Sequence, residues 1–345
     1  MLRTTLCAAA LTCALTNSSL AALTAYDGFN YTAGADLAGL NGGTGWGGPW
    51  TFNGLSSAVA PASLQYAGLV FEGNAVDTSG NTPGTTRDFR LVGPFNAGNT
   101  SDLWISFLAQ AVDTTATTQF FGMTTYNGNE TASQLSLQRL GDGSNEWGIV
   151  GNNAALSADV SSDVVVTPGE TVLIVAHLDY DTGGGAVAAT FYLNPTVGAG
   201  IPAESDGVIT GPAGSLDFDR IRFASANGLN WLYDEVRLGT TITDVTPLNP
   251  PDPDVDGENG VDFADFEIIR DNYLTGTTHA LGDVNFDAKV DHLDFFAWRT
   301  AFESLSGVVD GLAIVPEPAT GATCFMMVLV ASQLRMRKQL RVVEK

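Results

Sequence analysis

The chain has 345 residues, of which 44% are apolar and only 15% charged, with 39 glycines and a formal net charge of −23. A field of that sign repels nucleic acid, and a Gly-, Thr- and Asn-rich mix suits a β-rich exported protein better than a helical cytosolic enzyme. The three cysteines, Cys7, Cys13 and Cys324, lie in terminal apolar segments, which excludes a disulfide framework, a zinc site or a thiol nucleophile in the body.

The charge is unevenly spread. Between Ala22 and Val315, nine basic residues stand against 36 acids, and five more bases fall in the last eleven positions. Such a surface suits calcium, or neutral and cationic partners; it also serves as plain solvation of an exported protein.

Taken from the N-terminus, residues 1–21 carry Arg3, an apolar stretch from Leu6 to Leu15, and Ser19-Leu20-Ala21. That order predicts a signal peptide cleaved after Ala21. A buried N-terminal helix is the competing reading, and Cys13 lacks the preceding residues of a lipoprotein site.

Residues 22–246 show no long helical periodicity. Short apolar runs alternate with Gly, Asn, Asp and Pro: 103–110, 118–126, 133–140, 171–180, 187–195, 219–225 and 231–239. In one run Leu135, Leu137 and Arg139 share a face, opposite Gln134, Ser136 and Gln138. "HLDYDTGGGAVAATFYLNP" predicts a hairpin whose turn, Asp181 to Gly185, uses glycines for positive φ angles. Many strands with turn chemistry between them predict a mainly β, antiparallel sandwich.

"AYDGFNYTAGADLAGLNGGTGWGGPW", the "YLNP" strand end and "FDRIRFASANGLNWLYDEVRLGTTITDVTP" resemble the laminin-G-like, concanavalin A-like sandwich domain of planctomycete and verrucomicrobial secreted proteins. The resemblance covers about 220 residues and is strongest at the two ends. It implies a jelly-roll whose first and last strands come together. It also implies glycan or protein binding, with glycosidase activity in some members.

Glycoside hydrolysis needs two facing carboxylates, about 5–9 Å apart. Candidate pairs are Asp179 with Asp181, Asp142 with Glu146, and Asp234 with Glu235. Asp181 falls at a turn, where Asp serves local hydrogen bonding. Asp234 and Glu235 point to opposite faces if their strand is regular. His177 lies in an apolar strand and reads as a packed or surface histidine, with no serine elbow to complete a triad. "GLNGGTGWGGPW" lacks the Lys-Ser/Thr of a phosphate cradle; its glycines are expected to let Trp46 and Trp50 pack.

Residues 247–253 form a Pro-rich linker. Beyond it, residues 252–294 hold twelve acids against two bases and repeat with an offset of 29. "DVDGENGVDFADFEIIRDNY" aligns with "DVNFDAKVDHLDFFAWRTAF". Each copy is a twelve-residue loop followed by a helix. An EF-type calcium loop supplies oxygens from positions 1, 3, 5, 7, 9 and 12, with a carbonyl at 7. In the first copy these are Asp254, Asp256, Glu258, Gly260, Asp262 and Asp265. In the second they are Asp283, Asn285, Asp287, Lys289, Asp291 and Asp294. Val261 and Val290, at position 8, are expected to pair in a short β bridge. Asn259 at position 6 tolerates a left-handed backbone; Ala288 at the same place does so less well, which weakens the second loop. Phe266, Ile269, Phe295 and Trp298 read as the core of a helix pair.

The paired units, residues 254–308, resemble a type I dockerin, a module that folds on Ca2+ and docks on cohesin domains. Loop positions 10 and 11, Phe263-Ala264 and His292-Leu293, depart from that family's small hydroxyl pair, so a cohesin partner does not follow. Residues 315–345 join Val315-Pro316-Glu317-Pro318, an apolar run to Leu334 and a basic end. They resemble the PEP-CTERM sorting signal of Gram-negative and planctomycete-type bacteria, with a short transmembrane segment. That implies an exosortase partner and delivery to the cell envelope, cell surface or extracellular matrix; an ordinary stop-transfer helix would also place the body outside. Three functions stay open: a non-catalytic binding or adhesion protein for a glycan or envelope protein, a polysaccharide-degrading component, and a structural matrix protein.

Overall fold

A computed structural model describes residues 23–78, 86–112, 119–156, 158–226, 229–286 and 289–306. The expected signal peptide, the sorting tail, and Asp287 and Ala288 lie outside the described residues. Among the described residues, no helix is long and apolar enough to cross a membrane. The chain divides after Pro250 into two compact units.

The first unit is built of strands β1 (Leu23–Asp27), β2 (Thr51–Phe52), β3 (Ala58–Val59), β4 (Val76–Asp77), β5 (Arg87–Phe95), β6 (Asp102–Ala111), β7 (Phe121–Tyr126) and β8 (Ser133–Arg139). It continues with β9 (Glu146–Gly151), β10 (Asp159–Val165), β11 (Thr171–Asp179), β12 (Ala186–Leu193), β13 (Gly207–Pro212), β14 (Phe218–Ser225) and β15 (Trp231–Gly239). One sheet runs β13-β12-β11-β6-β15-β4-β3, with β1 also on β15; the other runs β10-β9-β8-β7-β14-β5-β2. All strand pairs are antiparallel. The expected sandwich is present, and its first and last strands meet, Tyr26 opposite Arg237.

Alternation decides what each face carries. Leu135 and Leu137 on β8, Met123 on β7 and Ile221 and Phe223 on β14 enter the core between the sheets, with Phe107, Phe191 and Trp231 from the other side. The outer face of the first sheet is covered: Leu69, Trp104, Leu173 and Val175 form a second cluster with Ile242 and Val245 of α1 (Ile242–Val245). The outer face of the second sheet instead carries buried Thr124 and Ser136 with Gln134, Gln138 and Arg222 partly exposed around them. The β11–β12 hairpin turns through Gly183, Gly184 and Gly185, all at positive φ (89°, 67° and 79°).

Polar staples cross the core. Asp27 on β1 accepts hydrogen bonds from Tyr31 Oη (2.8 Å) and Trp50 Nε1 (2.9 Å) and pairs with Arg90 of β5. Arg90 donates to the carbonyls of Gly42 (2.6 Å) and Gly48 (3.2 Å), and its guanidinium lies 4.7 Å and 5.3 Å from the Trp46 and Trp50 rings. The glycine-rich stretch therefore does let its tryptophans pack. Its glycines are needed because a Cβ on Gly43 or Gly45 would lie 2.1 Å from Tyr26 O or 1.9 Å from Thr24 O. Asp88 of β5 accepts from Ser57 Oγ (2.5 Å) and from Tyr233 Oη of β15 (3.3 Å).

The second unit holds α2 (Phe263–Asp271) and α3 (His292–Ser306), joined through a short 3-10 turn at His279–Leu281. Its core pairs repeat-equivalent positions: Val255 with Val284, Phe266 with Phe295, and Ile269 with Trp298. The four residues expected in the helix-pair core are there. Val261 and Val290 make no β bridge among the described residues; Val290 O accepts instead from Leu274 N (2.7 Å).

Removing one member of a buried ion pair strands the other. Arg90→Met alone should lower unfolding stability by about 3–5 kcal/mol. Arg90→Met combined with Asp27→Asn should cost less than the sum of the single losses, measured by denaturant titration. Burial lifts the Asp88 carboxyl from 3.8 to about 6, against the opposing pull of Ser57. A folded-state value above the unfolded one means that stability is greatest at low pH and declines as pH rises through about 6. Between pH 4 and 7 the wild type should lose roughly 2–3 kcal/mol relative to Asp88→Asn. A difference that does not change with pH would refute burial as the cause.

Candidate metal centre

The first loop brings three predicted ligands together. Carboxylate oxygens of Asp254, Asp256 and Asp265, positions 1, 3 and 12, lie within 4.8 Å of one another. Asp265 is fully buried at the base of the loop. Its oxygens accept from the backbone N–H of Val255 (2.6 Å), Asp256 (3.1 Å) and Asp262 (2.8 Å). Asp254 Oδ1 is buried and has no hydrogen-bond partner. Asp256 Oδ1 accepts from Glu258 N (2.9 Å). Asn259 takes the expected left-handed conformation (φ 63°) between Gly257 (69°) and Gly260 (71°). The carboxylates of Glu258 and Asp262 do not join the cluster; Glu258 and Gly260 are exposed.

The second loop repeats the arrangement 29 residues on. Asp294, also fully buried, accepts from Asn285 N (3.1 Å) and Asp291 N (2.7 Å). Asp283 is buried, Asn285 half-buried and Lys289 exposed. Asp287 lies outside the described residues.

One role of these acids was not read from the sequence. Positions 9 and 12 form the capping box of the following helix. Asp262 is the N-cap of α2 and accepts from Ala264 N (2.7 Å), while Asp265 reaches back to Asp262 N. Asp291 likewise accepts from Leu293 N (2.7 Å). An acid at the N-cap, with a second one three residues later, is the sequence signal of such a box. Capping accounts for Asp262 and Asp265 without a metal. It does not account for Asp254 and Asp256, whose charges converge on Asp265 with no Arg or Lys bridging them among the described residues. Like charges at this spacing repel by roughly 1–4 kcal/mol per pair, depending on the effective dielectric. A set of hard oxygens around an orphaned buried carboxylate oxygen fits a hard divalent cation such as Ca2+, with Asp254, Asp256 and Asp265 as its side-chain ligands.

In the sandwich, each candidate carboxylate pair has structural partners. Asp179 Oδ1 accepts from Asp181 N (2.9 Å), Asp142 Oδ1 from Ser144 N (2.9 Å), and Glu146 Oε2 from Ser161 Oγ (2.5 Å). Asp234 and Glu235 are both fully buried. Their strand is irregular: the register shifts between Asp234 and Arg237, and Glu235 sits at φ 55°. Asp234 accepts from Ser63 Oγ (2.6 Å) and Leu64 N (2.9 Å); Glu235 accepts from Glu72 N (2.6 Å) and Tyr26 Oη (3.1 Å) and pairs with Arg237. Burial first, then the neighbouring Glu235 charge, holds Asp234 well above the usual carboxylate range. These residues pin β1 and the 63–72 loop to β15. His177 stacks on Trp104 (centroids 4.2 Å apart), with Nε2 2.9 Å from Asp102 Oδ1.

Capping and metal binding are separable by mutation. Asp254→Ala leaves the capping box intact and should abolish most of the rise in Tm that millimolar calcium gives the wild type. Asp262→Ala should cost about 1 kcal/mol with or without calcium. Thermal melts of the full chain in calcium and in chelator distinguish the two; equal calcium shifts in wild type and Asp254→Ala would remove Asp254 from the ligand set.

No family model matches the chain, and no curated protein matches it. Solved structures of similar shape include an endo-1,3-β-glucanase from Streptomyces sioyaensis (TM-score 0.40, 11% identity, 63% of this chain and 95% of that one). The globular domain of T. cruzi calreticulin matches with TM-score 0.35 and 12% identity over 75% of this chain and 94% of that one. The exoplasmic/lumenal domain of VIP36, in its Ca2+/mannose-bound form, matches with TM-score 0.33 and 12% identity over 56% and 84%. At these values the likenesses carry no argument about function.

Proposed function

We propose that the chain is an exported, non-catalytic binding protein of a bacterial envelope, cell surface or extracellular matrix. Its sandwich holds a glycan, and its second unit is a dockerin-like module ordered by Ca2+. The observation that carries the reading is the convergence of Asp254, Asp256 and Asp265 around an unpartnered buried oxygen. The same loop-to-helix geometry recurs in the second copy.

The ion relieves carboxylate repulsion and so fixes the loop against its capped helix; no chemistry is assigned to it. The glycan reading is supported by the outer face of the second sheet, where the partly exposed amides of Gln134 and Gln138 and the exposed amide of Asn152 surround the buried hydroxyl pair of Thr124 and Ser136 (2.7 Å) and supply neutral groups suited to sugar hydroxyls. On the helix pair, a groove of about 310 Å³ lined by Phe266, Ile269, Arg270, Tyr273, His292 and Phe295 is a candidate docking surface. Export and delivery to the envelope rest on the two terminal resemblances, and an exosortase is the partner that the tail implies.

Calorimetry on the full chain should count two calcium ions, the second weaker because Ala288 replaces a residue tolerant of the left-handed conformation. No heat up to millimolar calcium, the range of extracellular modules, would sink the metal reading. A glycan array should return a defined saccharide without turnover.

A further inference from the structure

The geometry points to an anionic saccharide, recognised through a uronate carboxylate by Arg222 and Arg87, as the ligand of the second sheet's outer face. The inference rests on the glycan-binding reading and names the chemical class of that ligand.

From Ala22 to Pro250 the chain has 22 acids, six arginines and no lysine. Three of the arginines, Arg90, Arg139 and Arg237, are at most 2% exposed and serve the interior. The other three lie on one face of two neighbouring strands. Arg222 is opposite Phe89, Arg220 opposite Leu91, and Arg87 opposite Ala224. They alternate with Ile221 and Phe223, which enter the core, so all three belong to the outer face. Every arginine of the sandwich outside the interior therefore lies on the outer face of the second sheet, with Arg87 exposed and Arg222 partly exposed above the buried Phe89 and Tyr126 rings.

Arg220 is neutralised by Asp219, its Nε 2.8 Å from Oδ1. Arg222 has no carboxylate in ion-pair range among the described residues. Its guanidinium rests 4.9 Å from the Tyr126 ring and 6.0 Å from both Phe89 and Phe120. One terminal nitrogen donates to Thr124 Oγ1 (3.2 Å), and Nε is buried with no partner. Burial lowers its pKa, and the like charge of exposed Arg87 works in the same direction. A guanidinium held in place by rings and missing a counter-charge is a preorganised fork for a carboxylate. The partly exposed amides of Gln134 and Gln138 and the exposed amide of Asn152 on the same face offer neutral donors and acceptors for hydroxyls. The surrounding acids repel an extended polyanion, so contact is confined to one or two carboxylates of a ligand that is otherwise neutral.

The test is calorimetry of the full chain, at fixed low calcium, with a hyaluronan oligosaccharide and with the same oligosaccharide after reduction of its carboxyls to alcohols. The acidic form should bind at least roughly tenfold more tightly than the reduced one, as loss of a charge-assisted contact implies. Added sodium chloride should weaken that binding. Arg222→Gln and Arg87→Gln should each weaken it by roughly tenfold or more. Arg87 is exposed, so its variant keeps the fold even if Arg222→Gln disturbs it. Equal binding of both oligosaccharides, unchanged in both variants, overturns the anionic class and leaves the glycan reading standing. Preference for the acid that neither variant reduces overturns the assignment to this face. Binding of neither oligosaccharide, with a neutral glycan found on the array, overturns the inference alone; no glycan of any kind overturns both.

Discussion

The charge pair between Asp27 and Arg90 is the constraint from which the sandwich is built outward. Asp27 belongs to β1 in one sheet and Arg90 to β5 in the other, and both are almost fully buried. A buried ion is tolerated only when its remaining donors and acceptors are filled. The residues that fill them are those of the opening segment: Tyr31 and Trp50 on the carboxylate, and the carbonyls of Gly42 and Gly48 on the guanidinium. Satisfying the pair thus folds the glycine-rich loop against β1. Once β1 is fixed, Tyr26 meets Glu235 and Arg237 on β15, and the first and last strands close the sheet.

Much of this was legible in the chain. The strand from Trp231 to Gly239 was readable to the residue, and the hairpin at Gly183–Gly185 followed from glycine's access to positive φ. The repeat of 29 residues located both helices, because period and loop register are local properties. What could not be read was long-range. The irregularity at Asp234–Glu235 looks like ordinary strand in sequence; it exists because Ser63, Leu64 and Glu72 supply donors from a loop about 170 residues away. Pairing of Arg90 with Asp27 across 63 residues is invisible to periodicity for the same reason. In the first loop the carboxylates at positions 1, 3 and 12 lie within 4.8 Å of one another, whereas Glu258 is exposed.

Acids in this protein do two different kinds of work. In the sandwich interior Asp27, Asp88, Asp234 and Glu235 are consumed as acceptors for backbone, hydroxyl and guanidinium donors, which links distant segments. In the second unit Asp262 and Asp291 terminate helices, and Asp265 and Asp294 bind backbone amides of their own loops. Each of those uses is complete without an ion. Among the described residues, Asp254 keeps a buried oxygen with no donor, and Asp256 has a backbone donor from Glu258 but no cation beside it.

That division bears on how a metal contributes to the second unit. The capping boxes and the aromatic core of Phe266, Phe295, Trp298 and Phe302 give the helices local reasons to form. The loops join that core through Val255, Val284 and Val290, with Val261 packed against it. A cation bound by Asp254, Asp256 and Asp265 would add to this packing by relieving the repulsion that the apolar anchors leave in place, at the approach of the loop to its helix. Binding energy gained there adds directly to folding energy wherever the loop is ordered only in the bound state. Under the proposed reading, calcium dependence would be a property of the loops first and of helix packing second, and the groove between the helices would inherit it only through the residues that the loops hold in place.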